Sequence, residues 1–401
     1  MKICIHRGIN QIGGSIIEIS SETTRLFFDV GVNLDEGEAY EVPRIEGLFE
    51  GEKRCDGIFI SHYHSDHIGL LGEILSDIPI YMGEKAFYVF RSAFDYRGKQ
   101  VTFQPLFVQN QIGIEVGDIK VTPYQCDHSA FDSYMFVVES NGKRILYTGD
   151  FRANGRMNYD ELLKMLPSVD AIITEGTTLS RETEVKNIDE IELENIAVNY
   201  IENIHAPVFI MMSSTNVERV ITAYNIARRT DRIFMEDIYT AEISMAVGEI
   251  APEANVDEGI RVFTTGGDKQ YQRLQAFGKA KIGRKEIAKT PFLMCIRQSM
   301  KSYLEKLNEL ISFDGGVLLY GMWKGYLEQP EMKEFIKYLK NKGVKIHIIH
   351  TSGHADAYTI RKLIDTVSPS YIIPVHTENP CWFNQFQSEN CKILNKNIIE
   401  L

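Results

Sequence analysis

Thiolate chemistry and membrane insertion have little to work with in this sequence. Its six cysteines (Cys4, Cys55, Cys126, Cys295, Cys381 and Cys391) are scattered through 401 residues with no CxxC spacing. That argues against a cysteine-zinc site and for free thiols over a disulfide framework. No apolar run approaches the roughly 20 residues a membrane-spanning helix needs. The opening MKICIHRGIN lacks the apolar core of a secretory signal and reads as a first strand, so a cytoplasmic protein is expected. Positive charge is also in deficit, with 43 Lys and Arg against 55 Asp and Glu and a net charge of −12. This argues against a nucleic-acid coat protein, whose phosphate binding relies on a basic surface. A nuclease with cationic metals and a local basic patch remains compatible. One such patch spans 269–289, with Lys269, Arg273, Lys279, Lys281, Arg284, Lys285 and Lys289 opposed only by Glu286. Read blandly, it is a solvated helix face.

Internal repeats and low-complexity tracts are missing as well, and the chain reads as alternating ordered elements. Up to about residue 175, short β-rich runs such as SIIEIS, RLFFDVG, GIFISH, YMFVVES and RILYTGD end in polar loops. NYDELLKML reads as a helix among them. From about 180 to 340, amphipathic helices alternate with apolar strands, as in an α/β unit. The first texture is then expected to return with KIHIIHTSGHAD and SYIIPVHTEN. The implied organisation is one domain made of residues 1–179 and 341–401, interrupted by an α/β domain at 180–340.

Histidine is scarce, ten in all, yet three stand in SHYHSDH at 61–67, after the apolar Gly57-Ile58-Phe59-Ile60. Histidine and carboxylate suit a borderline or hard divalent metal. His62 and His64, at alternate positions, can point the same way from an extended segment. Asp66 and His67 follow on the turn and are placed to serve a second ion. Further ligand candidates stand at later strand ends: His128 in CDHSAFDS, Asp150 in YTGDFR and His376 in IIPVHTEN. Asp150 is the natural bridge, since one carboxylate can give an oxygen to each ion.

These segments resemble a known series. FFDVG, SHYHSDHIG, DHSAFDSYMF and YTGDFR are similar to the motifs of the metallo-β-lactamase superfamily. ITEGTT, TSGHAD and PVHTEN resemble the additional motifs of its β-CASP branch, and DHSxxDS and SSTNVERV resemble ribonuclease J. The resemblance implies an αββα four-layer sandwich with an inserted β-CASP α/β domain acting as a lid over a cleft. It implies one metal on His62, His64 and His128, and a second on Asp66, His67 and His376, with Asp150 bridging. Two zinc ions are implied, manganese serving in some members, and Asp29 would hold the loops. The expected reaction is hydrolysis of RNA phosphodiesters, single-stranded RNA foremost, by a hydroxide bridging two ions about 3.5–4 Å apart.

The expected catalytic residues are Asp66, Glu175 and His354, with His354 contacting the scissile phosphate and Glu175 orienting it. Ser352, His354 and Lys324 are the expected substrate contacts. Asp132 reads as structural, and His347 and His350 as core histidines. A histidine at position 354 resembles the RNA-processing members of the branch. Two features depart from ribonuclease J: YGMWKGYLEQ stands where Ser-Gln-Gly-Glu is usual, and His376-Thr377-Glu378 replaces His-Gly-Glu. With the chain ending at Leu401, soon after His376, the assembly extension of ribonuclease J is not expected. The alternatives are a small-molecule hydrolase of the same fold, a DNA nuclease and a non-enzymatic scaffold. The last is disfavoured because all seven ligands are present.

Overall fold

A computed structural model describes residues 1–34, 40–180, 185–266 and 268–401, without the side chains of 268 and 269. The chain divides into two compact units. One comprises Met1–Arg91, Gln100–Asn187 and Gly353–Leu401, the other Ser92–Lys99 and Ile188–Ser352.

The first unit is built on two seven-stranded sheets. In the first, Ile398–Glu400, Lys2–Arg7, Ile16–Ser20 and Arg25–Phe28 pair antiparallel, and Gly57–Phe59, Ile80–Met82 and Leu106–Phe107 continue in parallel. The second has the same division: Lys392–Ile393, Tyr371–Pro374, Ala171–Thr174 and Lys143–Tyr147 run parallel, while Ser133–Ser140, Ile119–Cys126 and Ile114–Val116 continue antiparallel.

Alternation explains how the layers stack. Tyr134, Phe136 and Val138 face Ile17, Phe28 and Phe59 of the other sheet. Met135 and Val137 point outward, onto Leu162 and Leu163 of helix Tyr159–Met165 and Ile360 and Leu363 of helix Ala357–Val367. Between the sheets, Phe59 stacks on Tyr81 at 4.4 Å and meets Phe136 edge-on at 5.6 Å. The result is the αββα sandwich.

Parallel pairing fixes where the site must be. Phe28 lies opposite Phe59, Tyr147 opposite Ile173 and Thr174 opposite Pro374. The loops that follow, carrying Asp29, His62, Asp150, Glu175 and His376, therefore leave their sheets at the carboxyl ends of parallel strands. Two antiparallel pairings make Ile119–Cys126 run in the same sense as Lys143–Tyr147, so His128 joins them.

The second unit carries a six-stranded parallel sheet in the order Ile260–Phe263, Ile233–Asp237, Phe292–Cys295, Val208–Met211, Val317–Tyr320, Lys345–Ile348. Its strands Phe292–Cys295, Val208–Met211 and Val317–Tyr320 are apolar throughout because both faces are covered. Lys345–Ile348 corrects the sequence reading of KIHIIH as the first texture returning. It pairs with Val317–Tyr320 as the edge strand of this sheet. His347 is accordingly not a core residue but is half-buried, its ring stacked on Tyr200 at 3.7 Å. The basic segment is not one helix face either: it breaks at Gly278, with φ +49°, between a helical turn and the short helix Arg284–Ile287. No helix of the described residues is long and apolar enough to cross a membrane.

Candidate metal centre

The turn SHYHSDH is held by the strand end that precedes it in sequence. Val30 N–H donates to His67 O at 2.8 Å, Val32 N–H to Ser65 O at 3.1 Å and Ser15 N–H to Asp66 O at 2.9 Å. This close approach explains the glycine of FFDVG, since a Cβ on Gly31 would lie 1.7 Å from Asp66 O.

Three groups of candidate ligands result: His62 with His64 and His128, Asp66 with His67, Asp150 and His376, and Asp150 again with Glu175 and His354; the first two match the expected ligand sets. Asp150 Oδ2 lies 3.2 Å from His67 Nε2, 3.7 Å from His376 Nε2 and 3.9 Å from His62 Nε2. It thus reaches both clusters. His376 Nε2 is 3.1 Å from Asp66 Oδ2, and His128 Nε2 is 3.1 Å from His64 Nδ1. Four-coordinate zinc, with bonds of about 2.0–2.1 Å, sets its ligand atoms about 3.3 Å apart, so these separations fit an ion in each cluster.

The hydrogen bonding agrees with this. His62 Nε2 and Asp150 Oδ1 are buried without a hydrogen bond, a costly state unless another group satisfies them. Burial, and then neighbouring imidazoles, hold His62 and His128 well below the usual histidine range, and burial brings His64 down to about 4. All three are neutral at pH 7, the form that coordinates a metal. Asp150 is held well below the usual carboxylate range because His376, His67 and His354 outweigh its burial.

Around the ligands, partners fix the rings of His67, His62 and His376. Asp29 is fully buried, with φ +59°, and its Oδ2 accepts from His67 Nδ1 at 2.7 Å, Tyr147 Oη at 2.6 Å and Ser61 Oγ at 2.7 Å. Its Oδ1 accepts from Ser61 N–H at 2.7 Å. Ser61 Oγ also meets His62 Nδ1 at 3.0 Å, and Thr177 Oγ1 meets His376 Nδ1 at 2.8 Å. Sequence reasoning missed the roles of Ser61, Tyr147 and Thr177. Their only signal was position inside the motifs SHYHSDH, ILYTGD and ITEGTT.

Glu175 and His354 come together beside this centre. His354 Nδ1 is 3.1 Å from Glu175 Oε2 and 3.5 Å from Asp150 Oδ2. Glu175 is fully buried and also accepts from Phe151 N–H at 2.9 Å and Thr177 Oγ1 at 2.7 Å. Despite burial, Glu175 and Asp150 raise His354 to about 9. Gly353 is required by close approach, since a Cβ there would meet Ser129 Oγ at 2.5 Å. Asp132 caps helix Glu84–Tyr96, accepting from Lys85 N–H at 2.9 Å and Ala86 N–H at 3.3 Å, a structural task. Ser352, Lys324 and His350 belong to the second unit. There, His350 Nδ1 lies 3.3 Å from Gly321 O, and Lys324 opens an exposed turn, Lys324–Glu328.

The family model of the metallo-β-lactamase superfamily matches residues 11–183, and that of the Zn-dependent metallo-hydrolase RNA specificity domain matches 342–380. Ribonuclease J 1 of Streptococcus pyogenes is 22% identical over 395 residues, covering 92% of this chain and 67% of its own length. Ribonuclease J of Mycoplasma pneumoniae is 20% identical over 410 residues, covering 94% and 68%. A solved structure of a protein of unknown function from Enterococcus faecalis superposes with a TM-score of 0.81 at 19% identity. It covers 100% of this chain and 99% of its own, a likeness of fold. Residues 11–183 match the metallo-β-lactamase superfamily, the chain as a whole resembles its β-CASP branch, and it is a metal-dependent hydrolase. Within that branch, its likeness to ribonuclease J extends along nearly the whole chain.

Proposed function

We propose that this chain is a ribonuclease that holds two zinc ions, one on His62, His64 and His128 and one on Asp66, His67 and His376, with Asp150 shared. One observation carries the reading: Asp150 Oδ2 stands 3.2–3.9 Å from imidazole nitrogens of both clusters and 3.5 Å from His354. Bound divalent ions supply Lewis acidity toward phosphoryl oxygens and lower the pKa of water toward about 7. The protein's own groups do the rest. Asp29 and Thr177 fix the rings of His67 and His376 so that each Nε2 faces the centre. Glu175 holds His354 through Nδ1, so a proton delivered to a leaving 3′ oxygen comes from Nε2. Ser352 and Lys324 are the substrate contacts of this reading, and single-stranded RNA in the cytoplasm is its substrate. The likeness to the ribonucleases J of Streptococcus pyogenes and Mycoplasma pneumoniae, and the RNA specificity domain matched at 342–380, favour RNA over DNA or a small ester.

The test is cleavage of end-labelled RNA and DNA oligonucleotides with zinc or manganese, by the wild type and by His64→Ala and His354→Ala. RNA cleavage lost in both variants is expected, with bound metal reduced only in His64→Ala. Cleavage of DNA alone, or hydrolysis of small esters with no RNA cleavage, overturns the reading.

A further inference from the structure

The metal centre makes no use of the basic segment 269–289. In the second unit this segment folds against the end of strand Ile260–Phe263 around a cavity of about 380 Å³. Lys281, Arg284 and Lys306 line it together with Tyr271 and Tyr303, and no carboxylate does so among the described residues. The nearby acid Glu286 is taken by Arg261 at 3.0 Å. Lys281 Nζ donates to the neutral amide of Gln275 at 2.5 Å, and the Arg284 guanidinium lies 5.8 Å from the Tyr303 ring centroid. Lys281, Arg284 and Lys306 enter no ion pair among the described residues. The cations around the cavity therefore keep their charge for a ligand, in a chain whose net charge is −12.

The tyrosines narrow the ligand's chemistry. Tyr303 is buried and serves the core, whereas Tyr271 is 58% exposed on the rim. An exposed aromatic face beside several unpaired cations suits a chain of bases and phosphates better than a lone anion. The hydroxyls of Thr264 and Thr265 are already spent on Gln270 Oε1, each at 3.1 Å, so charge and stacking carry the recognition.

We propose that this cavity is a docking subsite for single-stranded RNA, with Lys281, Arg284 and Lys306 on backbone phosphates and Tyr271 stacked on a base. The proposal rests on the ribonuclease reading above and extends it to a surface outside the metal centre. The experiment is fluorescence anisotropy of a labelled oligouridylate titrated with the full chain in EDTA, which withholds metal and stops cleavage, across a salt series. Each phosphate contact on a single strand contributes about 0.7 to the slope of log K against log salt. Arg284→Ala combined with Lys306→Ala should flatten that slope by about 1.4. Tyr271→Ala should weaken binding by about 10-fold, and Tyr271→Phe should bind as the wild type does. An unchanged slope, or a Tyr271→Ala variant that binds normally, overturns the subsite. So does polyglutamate binding in place of oligouridylate, which marks a surface for acidic protein. If the wild type cleaves RNA once metal is restored while the slopes stay equal, the subsite fails and the ribonuclease reading stands. No RNA cleavage by the wild type sinks that reading first.

Discussion

Replacing Asp29 by asparagine tests whether this carboxylate holds the second site of the proposed two-zinc centre in shape. Its Oδ2 takes three donors, from His67, Tyr147 and Ser61, and its Oδ1 takes Ser61 N–H. In Asp29→Asn the amide oxygen can keep the backbone donor, which puts an NH2 group where three donors converge. The hydroxyls of Ser61 and Tyr147 can rotate and accept. The His67 ring cannot, because coordination through Nε2 in the proposed centre would fix Nδ1 as N–H. The substitution thus removes a hydrogen bond to a charged group, about 1.5–3 kcal/mol, and leaves a buried donor unsatisfied, about 1–3 kcal/mol. Together these predict a loss of about 2.5–6 kcal/mol from the first unit.

Orienting partners of this kind are worth about 10- to 100-fold in metal affinity. Zinc content under competition with a graded chelator, alongside urea unfolding, measures both effects. Tyr147→Phe is the control: it removes one hydroxyl from the same oxygen and leaves the His67 bond, so it should cost about 1.5–3 kcal/mol and keep its zinc. An Asp29→Asn variant that holds zinc like the wild type and loses under about 1 kcal/mol refutes the reasoning. Equal zinc loss in Tyr147→Phe would also refute it, by showing that the cluster as a whole matters and not the imidazole.

Two further outcomes follow from buried carboxylates. Glu175→Gln should lower kcat about 10- to 100-fold while leaving KM and zinc content near wild type, because in the proposed arrangement Glu175 positions His354 and holds no metal; a loss expressed only in zinc content would contradict it. In the second unit, Glu236 is fully buried, with Oε1 3.0 Å from Ser244 Oγ and Oε2 without a partner, and burial pushes it up to about 8. Between its ordinary value of 4.5 and about 8 the folded state keeps a proton that the unfolded chain sheds. Stability is therefore full below the lower value and declines as pH rises, by at most about 1.4 kcal/mol per unit, then levels off above the upper one. Urea unfolding followed by Trp323 fluorescence in a Trp382→Phe background should show this slope. Glu236→Gln should flatten it, and identical slopes would refute the assignment.

The candidate metal ligands could be picked out because each is a residue type with few other uses, placed directly after an apolar run. In parallel strands that position is also a position in space, so HYHSDH, His128, Asp150 and His376 could be read as one site from chain order alone. What surrounds them was harder to read. Ser61, Tyr147 and Thr177 act through hydroxyls that occur everywhere and carry no spacing signal, so only the folded geometry distinguishes Tyr147 from its neighbours in ILYTGD. Lys345–Ile348 was assigned to the wrong texture for a different reason. KIHI has the same pattern in either sheet, and its partner is decided by register with Val317–Tyr320, about 28 residues earlier. The basic segment looked like a helix face because its cations recur at helical intervals, while Gly278 and Gly283, which break it, weigh little in a count of charges.

Two positions in the centre carry a backbone conformation that side chains other than glycine rarely adopt: Asp29 at φ +59° and His376 at φ +49°. Such positions cost on the order of 1 kcal/mol or more, and they persist only where surrounding contacts over-determine them. Both are over-determined here. Asp29 N–H donates to Phe59 O at 3.0 Å and its carboxylate takes four donors. His376 N–H donates to Gly8 O at 2.7 Å, and its ring is held by Thr177 on one side and faces Asp66 on the other. Glycine would relieve the backbone at either position and abolish the side chain that the loop is bent to aim. The strain therefore lies at the first parallel strand end of one sheet and a later strand end of the other, the two loops that orient His67 and His376. These are the paired imidazoles of the second cluster, so that half of the centre depends most on the fold being complete, from residue 29 through residue 376.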